Sequence, residues 1–423
     1  MARYLTRYIE QEIKETLETS GVVVVAGPKF CGKTTTCQLF AKSKFVLDTK
    51  AKIELAQSNP EGILVGSSPR LIDEWQNVPD LWNAARSFVD ASSDKFGLLI
   101  FTGSSTPADK NEIYHSGTGR IVTIGMRTMS LFESGESNGL VSIKDLFDNP
   151  NIKLLHIDDN HTVRDTAFYI CRGGWPLSLT SDRNKGLKIT QNYYSTLFEF
   201  ENSKNKKFRN KKPEIFFMIL RSYARHISTE AKRKTLLADV NEHDDRNLDP
   251  ETFDSYVEAL KDLYIIKDIE AWNPNLRSRT SIITSPTRHF IDTSIAAGAL
   301  HISPDDLIND PETFGLFFED FAIKELSVYA QSSNGIIQHY RDGNGLECDA
   351  VLRLSNGKYA LIEIKLGGEN LVKEGNKTLL ALQKKIIGSN HNPPTFLMII
   401  TASGNAYTTP EGIHVVPIHM LRD

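Results

Sequence analysis

The run VVVVAGPKFCGKTTTCQLF, residues 22–40, constrains this chain more than any other stretch. Four valines and an alanine in a row do not make a half-exposed strand. A continuous apolar run of this length suits a strand covered on both faces, as in a parallel sheet. The run ends in GPKFCGKT, which fits G-x-x-x-x-G-K-[ST] at every fixed position. Glycines let the backbone curl so that successive N–H groups point inward at a phosphate chain. The helix that follows adds its positive end. In that arrangement Lys33 reaches the β- and γ-phosphates and the Thr34 hydroxyl ligates Mg²⁺. The expected binding loop for ATP and Mg²⁺ is therefore Gly27, Pro28, Lys29, Phe30, Cys31, Gly32, Lys33, Thr34 and Thr35. A glycine turn without a ligand is the competing reading, and the strand before and helix after it weigh against that.

Hydrolysis needs an acid to hold the metal and a group to orient water. RLIDEWQ, residues 70–76, offers both: Asp73 at the end of an apolar strand for the metal, and Glu74 for the attacking water. A third strand, LLIFTGSS, puts Thr102 or Ser104 near the γ-phosphate. Acidic pairs at strand ends also occur as plain solvated loops.

The rest of the chain divides by pattern. Strands are expected at 22–26, 45–48, 71–73 and 98–102, alternating with helices, which is an α/β signature. Residues 131–165 are polar and irregular, as in a lid or linker. Residues 166–230 look helical, broken by RGGWPLSL and by the basic run KNKKFRNKK at 204–212. Residues 235–272 follow the order helix, turn, helix, strand, which suits a winged helix. From about 305 come a helix, several strands, a helix at 375–387 and more strands. The expected units are a P-loop parallel-sheet ATPase core at 1–135 and a helical lid or linker at 136–210. A winged-helix-like unit at 211–303 and a C-terminal α/β unit at 304–423 follow. At 423 residues, several domains are expected.

Lys and Arg number 49 against 53 Asp and Glu, a net charge of −4. That excludes a uniformly basic coat and leaves room for a local patch. No apolar run approaches the ~18 residues that cross a bilayer. The segment MARYLTRYIEQEIKETLE looks like an amphipathic helix without a signal-peptide core. Cys31, Cys37, Cys171 and Cys348 are scattered, as free thiols of a reducing compartment are. The expectation is a cytoplasmic protein with no membrane contact.

The stretches LIDEWQNVPDLW, IFTGSS, HSGTGRI and MRTMSLFESGES resemble bacterial and archaeal predicted ATPases of the AAA+ superfamily that carry a C-terminal domain of unknown function. RSYARHIS, RHFIDTSIAAGAL and FGLFFEDFAIKEL resemble that second domain. The resemblance implies an arginine acting across subunits on the γ-phosphate, with Arg120 the first candidate and Arg127 the second. A surface ion pair is the plainer role for either. The basic run is a solvated loop or a phosphate-contacting patch, and Trp175 in GGWPLSL is expected to pack. The leading function is ATP hydrolysis coupled to a nucleic-acid-related C-terminal module, with DNA and a second copy of the chain as candidate partners. The alternative is a slow nucleotide-sensing regulator or defence protein acting through protein partners, with an inactive nuclease-like domain.

ECDAVLRLSNGKYALIEIKLG carries the pattern D…(D/E)-x-K at Asp349, Glu363 and Lys365, and resembles the PD-(D/E)xK nuclease fold. Cys348 stands where the name-giving proline would be. AVLRL and YALIEIKL flank SNGK as two strands of a hairpin. A two-residue Asn356-Gly357 loop would place Asp349 opposite Ile364, on the wrong face. A three-residue loop from Ser355 to Gly357 would place it opposite Glu363. Two facing carboxylates need a cation between them, and Mg²⁺ on Asp349 and Glu363 beside Lys365 would supply it. The resemblance makes Glu319, on the preceding helix, a third acid. A hairpin carrying paired surface charges is the competing reading.

Overall fold

The computed structural model describes residues 4–104, 117–157, 160–180, 182–198, 211–243, 247–274 and 285–423. Residues 204–210 of the basic run lie outside the described residues.

The valine run forms β1 (Val22–Ala26), every residue of which is buried. It lies inside a parallel sheet with β2 (Ser43–Val46), β3 (Arg70–Asp73), β4 (Leu99–Gly103) and β5 (Ile121–Gly125), in the order β2-β3-β4-β1-β5. Two apolar layers cover the two faces of β1. Val22 and Val24 pack with Phe101, Trp75 and Leu81. Val23 and Val25 pack with Ile13 and Leu17 of the helix Ile9–Thr19. Full burial of each such side chain stabilises by ~1.5–3 kcal/mol. β2 begins and ends two residues earlier than expected. It is the edge strand and only partly covered, and Asp48 and Thr49 instead lead into the helix Lys50–Ser58, which Thr49 caps. β5 was not singled out in the sequence.

The second sheet has the order β7-β12-β13-β11-β10-β9-β8. Its strands are β7 (Leu155–His156), β8 (Gly335–Arg341), β9 (Glu347–Leu354), β10 (Tyr359–Lys365), β11 (Phe396–Thr401), β12 (Ala406–Thr408) and β13 (His414–Pro417). β10 is parallel to β11 and antiparallel to β9. The short strand β6 (Val141–Ser142) pairs with β14 (Leu421–Arg422). Residues 141–156 are therefore not a lid or linker. Strand pairing binds them to the C-terminal unit, through β7 on β12 and β6 on β14.

Between the sheets, the helices Pro213–Arg225, Arg233–Glu242 and Pro250–Asp262 are followed by two antiparallel bridges, Ile266 with Phe290 and Ile269 with Thr287. Phe290, Phe317, Phe321, Ala350 and Ile362 belong to one continuous apolar core. The expected boundary at 303/304 thus does not separate two cores. The long helix Pro311–Ser332 runs through this core and carries Glu319, Lys324 and Glu325. Among the described residues, no helix is long and apolar enough to cross a membrane.

Candidate functional site

The functional side chains gather at the carboxyl ends of the parallel strands, where open α/β sheets place their ligands. The loop leaves β1 and enters the helix Lys33–Gln38 through Gly32, whose φ of 104° is left-handed backbone that glycine adopts without strain. Lys33 Nζ donates to the carbonyls of Gly27 at 2.9 Å and Pro28 at 2.7 Å. Its ammonium thus lies folded against the loop. Thr34 Oγ1 donates to the carboxylate of Asp73, 3.0 Å from each oxygen. Asp73, the last residue of β3, is buried and also accepts from the Thr102 hydroxyl at the end of β4.

Glu74 follows in a left-handed conformation, φ 60°, and accepts from Gln76 Nε2 at 2.5 Å. It lines a cavity of about 800 Å³ together with Lys29, Phe30, Lys33, Thr34, Thr35 and Ser104. Thr34 and Asp73 are hard oxygen donors set side by side at a triphosphate-sized cavity, and this donor set fits Mg²⁺.

The opposite wall was missed in the sequence. Pro176 and Leu177 of GGWPLSL, with Tyr193, Thr196 and Leu197, close the cavity from the other side. Trp175 itself packs, 2% exposed, with its indole N–H on Ser294 Oγ at 3.0 Å. Its ring lies tilted at 37° to that of Tyr193, 4.1 Å away, which in turn meets the exposed ring of Phe30 edge-on at 6.1 Å. No local periodicity marks these residues, because only the fold brings them over the loop.

Arg7 was missed for the same reason. Its buried guanidinium donates to the Cys31 carbonyl of the loop at 2.9 Å, to the Arg127 carbonyl at 2.8 Å and to Glu133 at 3.1 Å. Glu133 also accepts from the Tyr8 and Ser130 N–H groups. Arg7 thereby ties the loop after β1 to the segment after β5.

Arg120 lies at the amino end of β5, the end of the sheet opposite to the loop, and pairs with Asp90 at 2.9 Å. It does not line this chain's own cavity. Arg127 follows β5 but faces a neighbouring cavity of about 460 Å³, not the one over the loop.

At the C-terminal hairpin, Leu354 N donates to Lys358 O, and Gly357 has a φ of 86°. The turn is the three-residue one. The register pairs Ala350 with Ile362, so the next facing pair is Asp349 and Glu363. Lys365 Nζ lies 2.8 Å from Glu363 and 3.2 Å from Asp349, and Asp349 also accepts from Ile364 N. Burial first, then the charge on Asp349, pushes the Glu363 carboxyl up to about 8. Burial and the Asp349 and Glu363 charges raise Glu319 well above the carboxylate range. The three acids and the lysine are therefore one cluster.

Among the described residues, no three His, Cys, Asp or Glu side chains are grouped to hold an ion. The cation between Asp349 and Glu363 is the Lys365 ammonium, although Glu363 Oε1 is buried without a partner. Lys365, two residues along the same strand as Glu363, reaches both carboxylates.

Residues 19–134 match the AAA domain family. Residues 163–306 match a domain of unknown function (DUF8612) and residues 314–421 another (DUF4143). Uncharacterized proteins of Mycobacterium bovis and Mycobacterium tuberculosis are each 23% identical over 359 residues, covering 84% of this chain and 72% of the relative. Among solved structures, a Walker-type ATPase of Pyrococcus abyssi aligns with a TM-score of 0.44 at 14% identity, over 71% of this chain and 99% of that one. The ORC1 protein of Aeropyrum pernix, solved in complex with DNA, aligns with a TM-score of 0.25 at 11% identity, over 73% and 94%. Residues 19–134 thus combine the AAA domain match with a P-loop on a parallel sheet.

Proposed function

We propose that the chain binds ATP with Mg²⁺ on the Gly27–Thr34 loop and hydrolyses it to drive a switch in the C-terminal units. The observation that carries this is the convergence of Lys33, Thr34, Glu74 and Ser104 on one cavity, with Asp73 hydrogen-bonded to Thr34 behind it. Lys33 leaves the Gly27 and Pro28 carbonyls for the β- and γ-phosphates. Thr34 and Asp73 hold the metal, which when bound neutralises charge on the phosphates. Glu74 orients the attacking water once it separates from Gln76, and Ser104 donates to the γ-phosphate. Pro176, Leu177 and Tyr193 supply the apolar wall that a nucleotide base needs. ATP turnover measured with and without DNA tests this reading. Strong stimulation supports a nucleic-acid-coupled motor, and slow, DNA-indifferent turnover supports the partner-sensing regulator.

The three helices at 213–262 with the bridged segments at 266–271 and 287–290 have the element order of a winged helix. We assign them that role, as a docking unit for nucleic acid or protein. The C-terminal unit is nuclease-like in its hairpin and its acid–lysine cluster. Arg120 meets a γ-phosphate only across a subunit boundary, in a homo-oligomer. Mixing Arg120→Ala with Lys33→Ala protein tests this: recovered turnover supports it, and no recovery at any ratio opposes it.

A further inference from the structure

The cavity over the loop has two kinds of wall. Lys33 and Thr34 offer a cation and a hydroxyl, while Phe30, Leu177 and Tyr193 offer apolar surface. A nucleoside triphosphate has the same two kinds of surface. Phe30 lies inside the loop itself, three residues before Lys33, with a φ of 62°. A bulky side chain takes left-handed backbone only at a cost, and such strain gathers at ligand clamps. Its ring is also 64% exposed, a large apolar surface open to water. Both costs fall on one residue of the phosphate loop, and a flat apolar ligand would offset the second. Tyr193 meets Phe30 from the helix Arg183–Ser195, the two ring centroids 6.1 Å apart and the planes at 88°. Tyr193 is held in place. Trp175 lies 4.1 Å from it, and the Trp175 indole N–H donates to Ser294 Oγ at 3.0 Å. Ser294 in turn donates to Asp292 at 2.6 Å, and Asp292 accepts from Gly174 N at 2.9 Å. One ring is thus anchored in the middle helices, and the other sits on the loop with room to turn.

We propose that Phe30 and Tyr193 form an aromatic clamp that stacks the adenine base of the nucleotide. This rests on the reading of the loop as an ATP site. A base presents a π-face, and aromatic side chains stack on it. Phe30 turns from its edge-on contact to lie parallel to the base, while Tyr193 stays against Trp175. Phe30 belongs to the 19–134 match and Tyr193 to the 163–306 match. The proposed phosphate and metal ligands all lie in the first of these. The base is therefore the part of the ligand that joins the two units.

Isothermal titration of two ligands into the full-length protein tests this: ATP with Mg²⁺, and inorganic triphosphate with Mg²⁺, which keeps the phosphates and lacks the base. The wild type should bind ATP at least about tenfold more tightly than triphosphate. Phe30→Ala and Tyr193→Ala should each weaken ATP by about tenfold and leave triphosphate within about twofold of its wild-type affinity. Tyr193→Phe keeps the ring and should keep ATP affinity, which separates stacking from a general loss of packing. Unchanged ATP affinity in both alanine variants, or an equal loss for ATP and triphosphate, overturns the clamp. Wild-type protein that binds ATP and triphosphate equally well overturns the clamp alone and leaves the phosphate loop standing. Wild-type protein that binds neither ligand overturns the ATP reading and the clamp with it.

Discussion

Thr34 Oγ1 lies 3.0 Å from each carboxylate oxygen of Asp73, joining the loop after β1 to the end of β3. In the proposed site this contact joins the phosphate loop to the carboxylate that would hold the metal. Thr34→Ala removes the hydroxyl without touching Lys33. It should weaken Mg²⁺–ATP much more than metal-free ATP, which titrations with and without chelator would show. Equal weakening of both would remove the metal role.

Glu74 is held by Gln76 at 2.5 Å and lines the cavity. Glu74→Gln keeps the shape and removes the charge that orients water. Nucleotide affinity should persist while turnover falls by about a hundredfold or more. Wild-type turnover in this variant would exclude Glu74 and favour the slow-sensor reading.

Arg7 and Glu133 form a buried pair, with side chains 4% and 3% exposed. Arg7→Ala strands the Glu133 charge and should cost about 3–5 kcal/mol in chemical denaturation. The same change frees the Cys31 carbonyl, so the Michaelis constant for ATP should rise as well. Arg120→Ala breaks a pair whose members are 42% and 41% exposed, and should cost under about 1 kcal/mol.

The acid cluster predicts a pH dependence. The folded-state value of Glu363, about 8, lies above its ordinary 4.5. Between those values the folded chain holds more protons than the unfolded one, so stability declines as pH rises through that window. Glu319 shifts in the same direction. The thermal midpoint should fall between about pH 5 and pH 8, and Glu363→Gln should flatten that slope. A midpoint that rises through this window, or an unchanged slope in the variant, contradicts the arrangement.

The legible parts of this chain are those whose signal is local. The loop from Gly27 to Thr34 is contiguous, and β1 declares itself by five apolar residues in a row. The hairpin left two registers open in the sequence, and the Leu354 N–H donating to the Lys358 carbonyl settles the choice between them. What the sequence hides depends on distant pairing. β7 is two residues long and joins a sheet whose other strands start 179 residues later, at Gly335. Leu177 and Tyr193 reach the cavity over the loop, and Arg7 reaches the loop's Cys31 carbonyl, from segments with no phosphate-binding pattern. Lys365 was legible as a catalytic type, but its reach to both carboxylates was not.

The central claim is that the loop after β1 holds ATP, and Lys33 is its one side-chain cation placed on the β- and γ-phosphates. Isothermal titration of ATP–Mg²⁺ into wild-type and Lys33→Ala protein tests it most directly. The wild type should bind one ATP per chain, and Lys33→Ala should show no detectable binding while retaining its fold by circular dichroism. Unchanged affinity in Lys33→Ala would contradict the assignment.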